Sequence, residues 1–416
     1  MSAERSLHLP ADWSLVPIGE LLAFKNGLNK GKAYFGHGTP IVNYMDVFSR
    51  AGLLASDIKG LVSVSTAEKS AFSVRKGDVL FTRTSETPEE VGVSAVLLED
   101  LDDAVFSGFV LRGRPKNQRL DVEFSKYCFA STFVRAQIVS SATYTTRALT
   151  NGRVLSKTLV PFPSSTEEQR AIAVALSDAD GVIEGLERLI AKKRRIKQGA
   201  MQELLTGKRR LPGFSGEWEE TTFGEIAHIR NEKVKTFKNP VAQRCIELEQ
   251  IAPETGAILF EVDASKRSSV KYRFQSGDVL FGRLRPYLRK YHFANDAGVC
   301  STEIWPLRAR NCDPGFLYQI VQTNAFIQAA SEAYGTHMPR ADWNKLKVFA
   351  VQLPEDPEEQ RAIATVLEDM EAEIRTLETR LAKARAIKAG MMEALLTGRV
   401  RLAEPMPLKK ATEAAE

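Results

Sequence analysis

The chain repeats itself, and that constrains its fold more than any other feature. Glu167-Glu168-Gln169-Arg170-Ala171-Ile172-Ala173 returns as Glu358-Glu359-Gln360-Arg361-Ala362-Ile363-Ala364, and Leu204-Leu205-Thr206-Gly207 returns as Leu395-Leu396-Thr397-Gly398, both 191 residues further on. Upstream, Gly77-Asp78-Val79-Leu80-Phe81 recurs as Gly277-Asp278-Val279-Leu280-Phe281, and Trp13 with Gly19-Glu20 recurs as Trp218 with Gly224-Glu225. These upstream anchors are spaced differently, and the residues between them diverge. Each half is a variable block followed by a constant one. Copies under one packing demand should drift alike, so constant scaffolds bearing unlike blocks point to a shared frame holding two different readers.

The constant blocks read as helices. Ser165-Thr166-Glu167-Glu168 has the form of a capping box, and Asp356-Pro357-Glu358-Glu359 offers an Asp cap, Pro at the first helical position and a capping Glu359 at the third. Gly207 and Gly398 are the residue type that closes a helix in left-handed backbone. Each helix is then about 40 residues and about 60 Å long. Alternating steps of four and three pick out Ile172, Leu176, Ala179, Ile183, Leu186 and Ile190, and again Ile363, Leu367, Met370, Ile374, Leu377 and Leu381, which is a coiled-coil seam. The same register continues through Lys193, Lys197, Ala200 and Leu204 and through Ala384, Lys388, Met391 and Leu395, so the seam is expected to loosen or change partner at the lysines. A long helix with one apolar face must bury it, and the matching stripe is on the other repeat. Antiparallel pairing would relate the halves by a pseudo-two-fold axis and put the variable blocks at opposite ends of a rod; parallel pairing would set them side by side. Gly199 and Gly390, at equivalent helical positions, suggest a close helix crossing.

Each variable block mixes strand-like and helical runs. Phe72 to Phe81 and Phe274 to Phe281 read as a strand edge, a Gly-Asp turn and a strand; Val93 to Leu98 adds another strand. Phe124 to Val139 and Pro314 to Ala330 read as helical, and Pro161, Pro163 and Pro354 mark where each block gives way to its long helix. The fold class is therefore α+β: two mixed α/β domains, each followed by a long α-helix, the helices pairing as an antiparallel coiled coil. The expected boundaries are a flexible start at 1–10, a first domain at 11–163, a helix at 164–206, a linker at 207–216, a second domain at 217–354, a helix at 355–397 and a mostly flexible tail at 398–416.

Composition agrees with a folded, multi-domain chain: 416 residues, 44% hydrophobic and 26% charged, with a mean hydropathy of −0.21. No run approaches the ~18 to 20 apolar residues of a membrane helix, and residues 1–10 lack an apolar signal core, so the chain is expected to be cytoplasmic. The four cysteines are far apart and no two histidines have metal-ligand spacing on a helix, which argues against a disulfide framework or a metal site. A net charge of +5 permits a polyanionic partner without requiring one.

The distribution of charge is more informative. In the first block Arg83 and Thr84 follow the Gly-Asp turn, and Tyr144, Thr145, Arg147 and Asn151 cluster later; in the second, Arg283, Arg285, Tyr287, Arg289 and Lys290 interleave basic and aromatic groups, and Thr336, His337 and Arg340 occupy the later place. Arginine grips guanine edges or phosphate, while Thr, Tyr and Asn hydrogen-bond backbone or base, so these residues suit contact with DNA. Lys192-Lys193-Arg194-Arg195 and Lys208-Arg209-Arg210 are explained as well by a solvated helix end as by a phosphate track. Gly27-Leu28-Asn29-Lys30-Gly31-Lys32-Ala33 is one residue short of a phosphate-binding loop, and no nucleophile elbow, H-E-x-x-H or adenine-methyltransferase Asn/Asp-Pro-Pro-Tyr/Phe string occurs. The sequence offers no catalytic centre.

Taken in order and in duplicate, the Glu-Glu-Gln-Arg-Ala-Ile-Ala helix starts, the Leu-Leu-Thr-Gly endings, Arg210-Leu211-Pro212-Gly213-Phe214 and the Gly-Asp-Val-Leu-Phe strings resemble the specificity subunit of type I restriction-modification systems over roughly residues 11 to 402. Gly282-Arg283-Leu284-Arg285-Pro286-Tyr287-Leu288 with Cys300-Ser301-Thr302-Glu303 resembles a recurrent recognition-domain variant of that family. The resemblance implies two target-recognition domains that bind a bipartite site in double-stranded DNA, with the paired helices setting the gap. It implies partners: two methyltransferase subunits that use S-adenosylmethionine, and restriction subunits that use ATP and magnesium, with no cofactor in this chain. Two other classes are distinguishable by experiment. A self-contained DNA-modifying enzyme would methylate or cut DNA alone, and a coiled-coil adaptor that binds only proteins would ignore DNA even with its partners supplied.

Overall fold

The computed structural model describes residues 8–144, 146–235, 244–260, 262–263, 270–332 and 338–402. Of the ends expected to be flexible, 1–10 and 398–416, residues 1–7 and 403–416 lie outside the described residues. The chain divides into two compact units, Met1–Gly185 with Arg380–Glu416, and Leu186–Thr379. Both divisions cut a long helix, Thr166–Leu204 or Pro357–Leu395. Where the sequence assigned each domain the helix that follows it, each unit takes a segment from both helices.

In the first unit, strands Leu22–Asn26, Val110–Pro115, Val79–Thr82 and Ser94–Leu97 form an antiparallel sheet, with Gly52–Leu53 added parallel at one edge. In the second, Ala227–Ile229, Ile304–Ala309, Val279–Gly282 and Tyr291–Phe293 form an antiparallel four-stranded sheet. A five-stranded sheet of Lys233–Lys235, Val270–Phe274, Gly298–Cys300, Arg244–Ile246 and Val262–Asp263 lies in the same unit. In each unit the first strand pairs with the strand that leads into a long helix: Trp13–Pro17 with Leu159–Pro163, and Trp218–Thr222 with Ala350–Pro354. The helical runs read as single elements are each two helices. Ser131 and Thr323 accept hydrogen bonds from Val134 N and Phe326 N, so each caps a new helix at a position where one helix was expected to continue.

The recurring Glu-Glu-Gln-Arg string has a packing reason. Gln169 and Gln360 are buried, and each accepts from a backbone N–H that begins a helix cap, Asp121 at 2.8 Å and Asp313 at 2.7 Å, while donating to Pro163 O or Pro354 O. Each Gln thus ties the start of a long helix to the preceding strand and to a neighbouring helix. The Glu of the expected capping box is diverted. Ser165 Oγ does accept from Glu168 N at 3.3 Å, but the Glu168 carboxylate receives Trp13 Nε1 at 3.1 Å and the Arg401 guanidinium. In the second unit Glu359 is fully buried and forks Arg210, at 2.5 and 2.6 Å. An arginine from the far end of the other helix outcompetes the local backbone N–H because it offers a charge-assisted bidentate pair.

The predicted stripe faces inward in both units. Ile172 and Leu176 join Leu395 and Leu396 in the core of the first unit, and Leu204 and Leu205 join Ile363 and Leu367 in the core of the second. Ile190, Ile374 and Leu377 are buried; Ile183, Leu186, Met370 and Leu381 are half-buried. The seam lysines do not loosen it. Lys197 pairs with Glu371 at 2.7 Å and Lys193 with Glu373 at 2.7 Å in the second unit; Lys388 pairs with Asp180 in the first. Within a unit, rising numbers on one helix meet falling numbers on the other, so the segments run antiparallel. Lys197–Glu371 and Asp180–Lys388 are the same contact made twice, one repeat apart. Gly199 and Gly390 do not mark a close crossing: both are exposed, and a Cβ on either would meet nothing within 4 Å.

Leu176→Ala and Leu367→Ala, each emptying a fully buried seam site, should destabilise their unit by about 2 to 5 kcal/mol in chemical denaturation. Gly199→Ala and Gly390→Ala should each stabilise by up to about 1 kcal/mol, because open space awaits the methyl group and the helix gains propensity. A loss of stability on either glycine replacement would contradict the open surface.

Candidate nucleic-acid interface

The Gly-Asp strings build identical turns in the two units. Gly77 and Gly277 take φ of +83° and +85°, and Asp78 and Asp278 accept from the backbone N–H of Arg75 and Gln275. The same carboxylates hold an arginine from across the sheet, Arg114 at 2.7 Å and Arg230 at 2.7 Å. These aspartates fix the strands Val79–Thr82 and Val279–Gly282, whose far ends deliver Arg83 and Arg283.

In the first unit Arg83 donates its backbone N–H to Phe109 O and accepts from Thr150 N, both at 3.0 Å, and its Nη1 reaches Gly108 O at 3.4 Å. A small sheet of Thr143–Tyr144, Ala148–Leu149 and Thr84–Ser85 then brings Thr84, Tyr144 and Arg147 together across some 60 residues of sequence. Tyr144 is exposed, and Arg147 makes an open ion pair with Glu86 at 3.0 Å. Asn151 stands next to this sheet, where its side chain accepts from Arg153 N and Val154 N and so caps the helix Gly152–Lys157. Thr145 lies outside the described residues.

In the second unit Arg283 donates to Glu303 O at 2.9 Å and accepts from Ala341 N at 2.8 Å, while Arg285 N donates to Pro339 O. Leu284 bridges Arg340, so Arg283, Arg285 and Arg340 converge from distant parts of the sequence. The Arg283 guanidinium lies 5.3 Å from the Trp305 ring centre. Arg340 forks Glu303 through Nε and Nη2, the shortest contact being 2.8 Å. That fork holds the Glu303 carboxyl below its ordinary value, against the opposing effect of burial, and pushes Arg340 up. Arg285 and Arg289 adopt φ of +49° and +53°, a backbone region that costs side-chain-bearing residues energy. The turn between them presents Tyr287, which is exposed, and turns Arg289 back onto Asn324 Oδ1 and Gln322 O and Lys290 onto Leu248 O. Arg289 and Lys290 are therefore engaged within the protein, while Arg285 and Tyr287 face outward. Thr336 and His337 lie outside the described residues.

A cleft of about 710 Å³ in the second unit is bordered by Lys197, Arg289, Tyr291, Gln322 and Glu371. Lys197 is paired there with Glu371 and bonded to Gln322, and Arg289 is hydrogen-bonded to Asn324, so two of its cations are tied into the protein beside the helix seam. Among the described residues no three His, Cys, Asp or Glu side chains could share a metal ion, and no helix is long and apolar enough to cross a membrane.

Sequence reasoning missed three residues of this surface: Phe109, Leu149 and Glu303. Each is defined by its hydrogen-bond register to the strand carrying Arg83 or Arg283, and that register is not written in the spacing. Glu303 did carry a signal, since it closes the Cys300-Ser301-Thr302-Glu303 string.

A duplicated α+β chain with twin long helices and two unlike basic surfaces has the architecture of a bipartite recognition scaffold. Residues 10–194 and 215–385 match the family model for the type I restriction modification DNA specificity domain, and the chain belongs to that family. It is 21% identical over 423 residues to the type I restriction enzyme EcoDI specificity subunit of Escherichia coli, covering 93% of this chain and 88% of that one. The type I restriction enzyme MjaVIII specificity subunit of Methanocaldococcus jannaschii is also 21% identical, over 424 residues and 95% of both chains. The crystal structure of the type I restriction-modification S subunit from M. genitalium superposes with a TM-score of 0.56 at 16% identity, covering 95% of this chain and 98% of that one. A second structure, from work on complex assembly and conformational transition of the type I system, gives 0.59 at 18% identity, covering 94% and 100%. At such identities the solved structures establish a shared fold.

The Glu303–Arg340 fork has a titration signature. A carboxyl depressed on folding contributes stability that is complete above its unfolded pKa and is lost as pH falls through the lower folded value. Carboxyl carbon NMR should therefore find Glu303 titrating below 4.5 in the native chain and moving upward in Arg340→Ala. An unchanged midpoint in the variant would contradict the fork.

Proposed function

We propose that the chain is the DNA-reading subunit of a type I restriction-modification assembly, each unit reading one half of a bipartite site in double-stranded DNA. The observation that carries this is the pairing of like and unlike: the turn at Gly77-Asp78 and the turn at Gly277-Asp278 deliver an arginine to the same framed position in both units, and the side chains around that arginine differ. Identical frames with different surfaces suit one task performed on two sequences. Membership of the specificity family supports the same reading.

The chain is non-catalytic by itself and works by positioning. Two methyltransferase subunits would use S-adenosylmethionine to methylate adenine, and restriction subunits would use ATP and magnesium, in the cytoplasm. A target adenine has to leave the base stack to enter a methyltransferase pocket, so the subunit that holds the flanking sequence decides which adenine is presented. The two long helices would set the gap between half-sites, and a four-residue insertion in one of them should change the preferred gap while leaving both half-sequences as they were.

Genome-wide mapping of methylated bases, in cells with and without the gene, should return two short sequences separated by a fixed number of unread base pairs. Arg83→Ala or Arg147→Ala should relax one half, and Arg283→Ala, Arg285→Ala or Arg340→Ala the other, with base contacts costing about 1 to 3 kcal/mol each. Equal losses at both halves from a single replacement would contradict the division of labour.

A further inference from the structure

The two units carry chemically opposite side chains at one equivalent place. Arg83 donates to Phe109 O and accepts from Thr150 N just as Arg283 donates to Glu303 O and accepts from Ala341 N. The neighbouring register agrees: Val110 faces Thr82 as Ile304 faces Gly282, and Leu149 faces Thr84 as Arg340 faces Leu284. Phe109 is therefore the counterpart of Glu303, and Leu149 the counterpart of Arg340. In the first unit this pair is apolar and held out of the core, Phe109 58% and Leu149 38% exposed. In the second it is a forked ion pair at the surface, with Arg340 42% and Glu303 31% exposed. Backbone hydrogen bonds frame both pairs in the same way, so the backbone positions that carry these side chains are set before any ligand arrives.

Taking the DNA reading above as its basis, we propose that this pair of positions discriminates bases in each unit: Glu303 and Arg340 select a G·C pair, and Phe109 and Leu149 select a T·A pair through the thymine methyl group. In the major groove guanine offers two acceptors, N7 and O6, to the two prongs of an arginine, and its partner cytosine offers an amino donor to a carboxylate. An Arg and a Glu side by side match that sequence of acceptors and donor. On binding, the fork opens, Arg340 takes the guanine edge and Glu303 accepts from the cytosine amine, so each charged group keeps a hydrogen-bond partner as water leaves. With thymine in place of cytosine, Glu303 faces a carbonyl oxygen and loses its partner, which is costly for a desolvated carboxylate. Phe109 and Leu149 reverse this logic. They offer no hydrogen bond, and the thymine C5-methyl is the apolar group that a major-groove edge presents. Arg83 and Arg283 occupy the same frame in both units, so they serve what the half-sites share; the neighbouring pair supplies the difference.

The full chain, equilibrated with a duplex library of random sequence and read by sequencing the retained fraction, tests this. Arg340→Lys, which keeps the charge and removes the fork, and Glu303→Gln should each abolish a G·C preference of roughly 5- to 150-fold at one position of one half-site. The double variant Phe109→Ala with Leu149→Ala should lose a T·A preference at one position of the other. Replacing that thymine by uracil, which removes only the methyl, should weaken the native chain about fourfold and leave the double variant unaffected. In every variant the untouched half-site reports that the protein is folded. Unchanged base preferences, a loss spread evenly over all sequences, or a native chain indifferent to uracil would overturn the assignment. A native chain that selects no sequence at all would instead sink the DNA reading on which it rests.

Discussion

In each unit the end of one long helix is clasped to the start of the other, and the rest of the structure depends on that clasp. Arg210 closes on the fully buried Glu359, and Arg401 closes on Glu168, one repeat apart. An unpaired buried carboxylate is expensive, so Glu359 makes the fold of the second unit conditional on an arginine some 150 residues earlier. The first unit uses the same design from opposite ends of the chain. Arg401 also forks Asp12, at 2.8 and 2.9 Å, and depresses its carboxyl. Gly398, in left-handed backbone, lies against Pro10 and Trp13 much as Gly207 lies against Trp218. Neither unit is finished until both helices have contributed, since Leu395 and Leu396 complete one core and Leu204 and Leu205 the other.

This shared dependence explains why parts of the sequence stay constant while others diverge. The Gln, Glu and Arg of the constant blocks each satisfy a partner that recurs in the other unit, so a change in one copy would leave that partner unsatisfied. Phe109 and Leu149 take part in no such pair, and Glu303 and Arg340 form theirs with each other, a pair without a counterpart in the first unit. Those residues sit at strand ends whose backbone is held by others, and their side chains face outward, where they are free to follow whatever each unit must recognise.

Much of the fold was legible in the sequence because it is governed by local periodicity. The four-three stripe located both seams, and the glycines in left-handed backbone at 207 and 398 closed the helices where expected. What failed to show was anything decided across the chain. Glu168 and Glu359 read as capping residues, since the competing arginines are remote in sequence. The helical runs were read through Ser131 and Thr323 because a cap inside an apolar pattern resembles a tolerated polar residue. Gly199 and Gly390 suggested a crossing that is absent because their face points away from the partner helix. In the candidate interface, the residue types picked out the loops, but the αL turns at Arg285 and Arg289 redirect Arg289 and Lys290 inward, and no spacing rule anticipates that.

The two long helices pair antiparallel within each unit, through ion pairs that repeat one another. Zero-length carbodiimide cross-linking of the native full chain, read by peptide mass spectrometry, tests it without any mutation. The partly exposed pairs Lys193–Glu373 and Asp180–Lys388 should both appear as isopeptides. A parallel arrangement would instead bring Lys197 opposite Lys388 and Asp180 opposite Glu371, leaving neither link possible. Absence of both, in a sample where the neighbouring Glu123–Lys126 pair couples normally, would contradict the account.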